Sequence, residues 1–264
     1  LTVKADNLSM QAGNLVLPDN WAALTGLNLQ LVAQYAQGLS GQGQIDLAEL
    51  KVAGASLRNL RGPMVIDGAN VKMEPMEGDL FGGKMAAVLR AGLPDPGLPV
   101  NVSATLSGID LETFTREFRP PKVSLTGIVD GSVAVAYDSV GGLTDVSADL
   151  HSSQHFTINR DLLMQLLLSQ YLQGVTGGKK IDRIAQDIVG NESQRAFDTA
   201  SIELRSQGKD ITGQAKLQSK ALNLTADLRI ASGVLEEVLK LHQETQFQDV
   251  QSIRAVPAES AAGS

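Results

Sequence analysis

The chain of 264 residues is 43% hydrophobic, enough for a sizeable core, yet only 19% charged and 4% aromatic. Its formal charge of −7, from 22 Lys and Arg against 29 Asp and Glu without a basic cluster, argues against nucleic acid as a partner. Zero Cys removes disulfides, thiolate nucleophiles and Cys-ligated zinc, while 26 Gly and 9 Pro point to many short strands joined by turns.

The chain opens at Leu1 with no signal-like stretch, so the sequence predicts a fragment or a processed product. The uncharged run from Asn20 to Ile45 is broken by Asn28, Gln30, Gln34 and Gln37, whereas a spanning helix needs about 20 predominantly apolar residues. The dominant pattern is alternation with period two, which puts every second side chain on one face of a strand. It begins with Leu27, Leu29, Leu31, Ala33 and Tyr35, interleaved with Asn28, Gln30 and Gln34. Gly82-Gly83 predicts a two-residue hairpin loop leading into a weaker strand from Lys84 to Arg90. Val100, Val102, Ala104 and Leu106 then alternate with Asn101, Ser103, Thr105 and Ser107.

Further strands are expected within Val123 to Tyr137, with a corner at Asp130-Gly131, and at Val146, Ala148 and Leu150. Asn159 or Asp161 caps a predicted helix running to about Gln173, and Ile181, Ile184, Ala185, Ile188 and Val189 recur at helical spacing, so residues 159–191 read as an inserted helical hairpin. Alternation returns at Ile202 to Leu204 and is cleanest at Leu222, Leu224, Ala226, Leu228 and Ile230. A C-terminal helix is expected from Val234 to about Gln243, followed by a tail. The resulting division is a β-meander over 1–158, the hairpin over 159–191, closing strands of the same sheet over 192–232, and the helix and tail over 233–264. Connections this short make neighbouring strands antiparallel.

Motifs for chemistry are scarce. Gly38-Leu39-Ser40-Gly41-Gln42 fails the nucleophile-elbow pattern at its last position, and Gly178-Lys179-Lys180 lacks the remaining parts of a phosphate loop. His151 and His155 follow a strand-like run and would stand about 13 Å apart along an extended chain, too far to share a metal. The carboxylate neighbours Asp110 with Glu112 and Glu236 with Glu237 have no evident catalytic partner, and the acceptor-like Asn101-Val102-Ser103 and Asn223-Leu224-Thr225 sit inside predicted strands. The reading is therefore non-enzymatic, with no cofactor and no metal. A long sheet with one apolar face must cover it with a second sheet, with helices, by curling, or with something outside the chain. The residues leave open a sandwich, which the pattern alone favours, and an incompletely curled groove lined by small aliphatics.

The order of motifs adds a further expectation. Gly78-Asp79-Leu80-Phe81-Gly82-Gly83-Lys84-Met85, then Ser107-Gly108-Ile109-Asp110-Leu111 opening a short helix over Glu112 to Phe118, then Leu125-Thr126-Gly127 to Asp130-Gly131, resembles the C-terminal region of AsmA-like proteins. Phe156-Thr157-Ile158-Asn159-Arg160-Asp161-Leu162-Leu163, Ala196-Phe197-Asp198 and the strands that follow are similar to that family's closing segment, so the likeness runs over roughly residues 1–232. The resemblance implies a mainly β fold: an elongated, curled, taco-like antiparallel sheet with an apolar concave groove. It also implies a periplasmic module attached to the bacterial inner membrane by an upstream anchor and serving phospholipid transport to the outer membrane. Phospholipid acyl chains are the implied partner, with envelope proteins as further ones. In that reading Leu27, Leu29, Leu31, Val100, Val102, Leu106, Val146, Leu150, Leu222, Leu224, Leu228 and Ile230 face the groove. The alternative expectation is a scaffold domain of the envelope with a closed, dry β-core that recruits protein partners.

Overall fold

Fifteen strands and one helix account for nearly all of the residues that the computed structural model describes, which are 3–16, 22–35, 38–52, 55–92, 99–118, 123–138, 142–152, 154–163, 193–207, 210–220 and 223–231. In chain order they begin with β1 (Val3–Val16), β2 (Ala22–Tyr35), β3 (Leu39–Val52), β4 (Ala55–Asp67), β5 (Asn70–Leu80), β6 (Gly83–Gly92) and β7 (Val100–Asp110). Then come α1 (Leu111–Phe118), β8 (Leu125–Thr126), β9 (Ile128–Asp138), β10 (Gly142–Ser152), β11 (Phe156–Asn159), β12 (Gln194–Phe197), β13 (Thr199–Gln207), β14 (Asp210–Gln218) and β15 (Asn223–Ala231).

Twelve strands form one antiparallel sheet in the order β1-β2-β3-β4-β5-β6-β7-β9-β10-β13-β14-β15. The sheet does not close into a barrel: β1 and β15 stand at its two edges. The fold is thus the mainly β, open antiparallel architecture expected. The short strands β8, β11 and β12 leave this sheet and pair among themselves in the order β12-β11-β8. Their separation has a packing cause. Phe156, Ile158 and Phe197 build a core of their own with Leu163, and this core sits against Leu217 of β14, with Ala200 and Leu224 beside it. Residues 160–163 are helical, while the rest of the expected hairpin and the expected C-terminal helix lie outside the described residues.

Two expected corners differ. The hairpin between β5 and β6 turns at Phe81-Gly82, one residue before Gly82-Gly83, with both residues at positive φ (45° and 77°) as a type I′ turn requires. Gly83 is instead a strand residue paired with Leu80, and a Cβ there would fall 2.5 Å from the Ser107 carbonyl oxygen. Phe81 keeps its strained backbone while its ring meets that of Phe114 edge to face, 5.2 Å between centroids. Asp130-Gly131 is likewise interior to β9, not a corner.

In a meander the turns alternate between two ends of the sheet. The lower end holds the Phe81-Gly82 turn and α1, which follows β7 directly and contacts β4, β7 and β8. Asp110 caps that helix: its carboxylate accepts from the Glu112 amide (3.0 Å) and the Thr113 hydroxyl (2.6 Å). Those bonds, the Thr113 hydroxyl foremost, hold the Asp110 carboxyl below its usual range. Because the folded pKa is the lower one, the stabilisation is complete above the ordinary aspartate pKa of 3.8 and is lost as pH falls through the folded value. Asp110→Ala is expected to weaken α1 by about 1 kcal/mol, read as faster amide exchange over Leu111–Phe118 at neutral pH with the sheet unaffected.

Candidate functional site

Directly paired residues in a sheet share a face, so the register reads out both faces. One row runs Gln11, Asn28, Asp46, Arg61, Glu77, Ala86, Thr105, Ser132, Asp149, Glu203, Gln214 and Asp227, and is polar at every position but Ala86. The neighbouring rows on the other face are apolar. Leu89, Val102, Val135 and Val146 form one, and Ala87, Ala104, Val133, Ala148 and Leu204 another. The apolar face therefore runs unbroken across the sheet.

The floor of this face is set by a sequence feature repeated in three strands. Leu24-Thr25-Gly26-Leu27, Leu47-Ala48-Glu49-Leu50 and Leu57-Arg58-Asn59-Leu60 each place two residues between leucines that share a face. The register aligns them: Leu27 with Leu47 and Leu60, Leu24 with Leu50 and Leu57. Two consecutive residues turned outward lengthen the polar side and bend each strand toward the apolar side, as a β-bulge does. Gly26 (φ 66°) and Asn59 (φ 52°) take the left-handed backbone this requires. Leu27, Leu47, Leu60, Met76 and Ala87 gather into one buried cluster along the fold line, with Leu47 only 3% exposed. All belong to neighbouring strands, so the burial comes from the sheet's own curvature.

Away from that line much of the apolar face is half-buried, although Ala33, Met64, Ile66, Ala148, Ile211 and Ala215 on it are buried. Leu29, Leu31, Val100, Val102, Leu106, Val146, Leu150 and Leu228 all lie on it at intermediate exposure, while Leu27 belongs to the floor cluster. Leu224 packs against the core of the small sheet. The backbone of Ile230 pairs with Ile211, and Leu222 lies outside the described residues. The floor residues Leu47, Leu60, Met76 and Ala87 escaped the sequence reading, although the repeated Leu-x-x-Leu spacing marks two of them.

Glycines on the apolar face hold strands unusually close. A Cβ on Gly131 would lie 2.0 Å from the Asp149 carbonyl oxygen, and one on Gly213 would lie 1.8 Å from that of Glu203. On the polar face a cleft of about 870 Å³ opens over Gly26, Ala48 and Asn59. Most of its charges are paired: Arg61 with Glu77 at 3.3 Å, while Asp79 accepts from Lys84 and from Asn59. These two bonds, Lys84 first, hold the Asp79 carboxyl below its usual range.

The remaining chemical candidates have structural places. Asp110 caps α1 and accepts from the Glu112 amide; His151 is exposed on β10 and His155 exposed beyond it; Asn101 and Asn223 are exposed strand residues of the polar face. Among the described residues no helix is long and apolar enough to cross a membrane, and no cluster of His and carboxylates could hold a metal ion.

Comparison with known proteins adds one finding. The family model described as YdbH-like, intermembrane phospholipid transport protein YdbH, matches residues 1–145, more than half of the 264. No curated protein and no solved structure matches the chain.

Proposed function

Given that the chain belongs to the YdbH-like family of intermembrane phospholipid transport proteins, we propose that its apolar trough carries phospholipids by shielding their acyl chains from water. The supporting observation is the unbroken aliphatic face, much of it at intermediate exposure, for which the described residues supply no second layer outside the region of the small sheet. A face of Leu, Val and Ala left partly in solvent is unfavourable unless something covers it, and acyl chains gain about 0.8 kcal/mol per methylene on doing so.

Strands spaced about 4.8 Å apart give twelve of them a path of about 50 Å along the sheet. Successive rows offer similar, non-directional contacts, so sliding along the trough is easy compared with leaving it. Transfer of this kind is physical: it forms and breaks no bond and uses no cofactor. A place in the bacterial envelope, between inner and outer membranes, follows from this reading, as does membership of the wider AsmA-like group of bridge-type lipid carriers. Attachment to the inner membrane would reside upstream of these residues. The half-exposure of Val102 and Leu106 favours the open trough over a dry scaffold core.

Lipid extraction and native mass spectrometry of the purified chain are expected to find bound phospholipid, and a photoreactive residue at Val102 is expected to crosslink to it. Absence of both signals would sink the proposal.

A further inference from the structure

The two rims of the trough differ. At the lower rim, α1 and the Phe81 ring stand beneath β4 to β7, and the small-sheet core covers Ala200, Leu217 and Leu224. Among the described residues the upper rim has no such cover. There Tyr35 is 55% and Tyr137 47% exposed, with Leu39 and Leu143 paired beside them on the apolar face. Among the described residues Ile202, on β13 toward the lower rim, is exposed to 36%, less than either tyrosine. Neither tyrosine hydroxyl has a hydrogen-bond partner among the described residues.

Resting on the reading of the trough as a phospholipid carrier, we infer that bound phospholipids enter over the upper rim and leave their glycerol and ester groups there, held by Tyr35 and Tyr137, with their tails pointing down the walls. Tyrosine suits this boundary because its ring is apolar and its hydroxyl can donate to an ester or phosphate oxygen. The dimensions agree. From Tyr137 the wall descends four residues, about 13 Å, to the level of Val133 and six, about 20 Å, to that of Gly131, which brackets the hydrocarbon of one bilayer leaflet at about 15 Å. A tail anchored at the upper rim therefore ends between these two levels, with Leu106 and Leu150, which flank Gly131 in the register, next to its methyl end.

The test uses the whole chain loaded from vesicles of phosphatidylethanolamine and phosphatidylglycerol, with photoreactive residues placed singly at Tyr35, Tyr137, Leu106, Leu150 and Val102. Crosslinks from the two rim positions are expected at the glycerol or headgroup end of the lipid, and those from Leu106 and Leu150 at the methyl half of the acyl chain. The reverse order, or the same attachment pattern at both levels, overturns the inference. So does silence at the rim while Val102 still crosslinks. Silence at all five positions instead defeats the trough reading itself. As a milder probe, the doubly substituted Tyr35→Phe, Tyr137→Phe chain keeps both rings, and is expected to retain lipid about two- to tenfold less well for each hydroxyl lost. Unchanged retention would exclude a hydrogen-bonding role for the hydroxyls.

Discussion

Leu47→Asp is expected to unfold the protein, whereas Val102→Asp is expected to leave it folded and empty of lipid. Both residues are aliphatic members of the same face, but Leu47 sits in the buried floor at 3% exposure and Val102 on the half-exposed wall. A carboxylate placed at Leu47, buried at 3% exposure, finds no cation on its face among the described residues, a penalty of at least about 3 kcal/mol, which is a large part of an ordinary domain's stability. At Val102 the carboxylate keeps its hydration through the open trough, so the folded state loses about 1 kcal/mol or less. An acyl chain passing that row, however, must strip the charge of water, and transport along the face is interrupted there. Urea midpoints separate the two stabilities, and native mass spectrometry counts the lipid. Ser103→Asp, one residue away on the polar face, is the control and should change neither. If Val102→Asp loses stability as heavily as Leu47→Asp, the wall is dry interior and the trough reading fails.

The second large effect is expected at Gly131, on the apolar face of β9. Any Cβ there meets the Asp149 carbonyl oxygen at 2.0 Å and the Leu150 Cα at 2.9 Å, and the residue has φ 153°. The obstructing atoms are backbone, so Gly131→Val cannot be absorbed by a side-chain rotation and must part β9 from β10. A loss of about 3 kcal/mol or more follows, with amide exchange accelerated first along these two strands. Gly68→Ala is the comparison. Gly68 also has positive φ, 59°, but open space where its Cβ would go, so only the backbone preference is lost, about 1–2 kcal/mol. Equal losses at the two sites would mean that the close approach at Gly131 does not constrain the sheet.

Both expectations come from features that alternation alone renders poorly. The runs from Leu27 in β2, Val100 to Leu106 in β7, Val146 to Leu150 in β10 and Leu224 to Ile230 in β15 can be read directly, because their apolar residues keep period two. β3 and β4 were harder: glycines at 41, 43 and 62 occupy apolar-face positions without an apolar side chain, and the Leu-x-x-Leu steps reverse the parity within the strand. A period-two count drops the signal at such a step although the face is maintained.

The sequence by itself determined the antiparallel meander, the sorting of side chains onto one apolar and one polar face, and the scarcity of catalytic motifs. These are local properties, carried by neighbouring residues and short turns. Whether the apolar face would be closed by a second sheet or left as a trough, which of its residues would become floor and which wall, and that β8, β11 and β12 would detach to cover one end were decided only in three dimensions. The reason is that burial depends on curvature summed over many strands and on contacts between segments far apart in the chain, such as Leu125 with Ile158 and Leu217 with Phe197, and no local pattern encodes either.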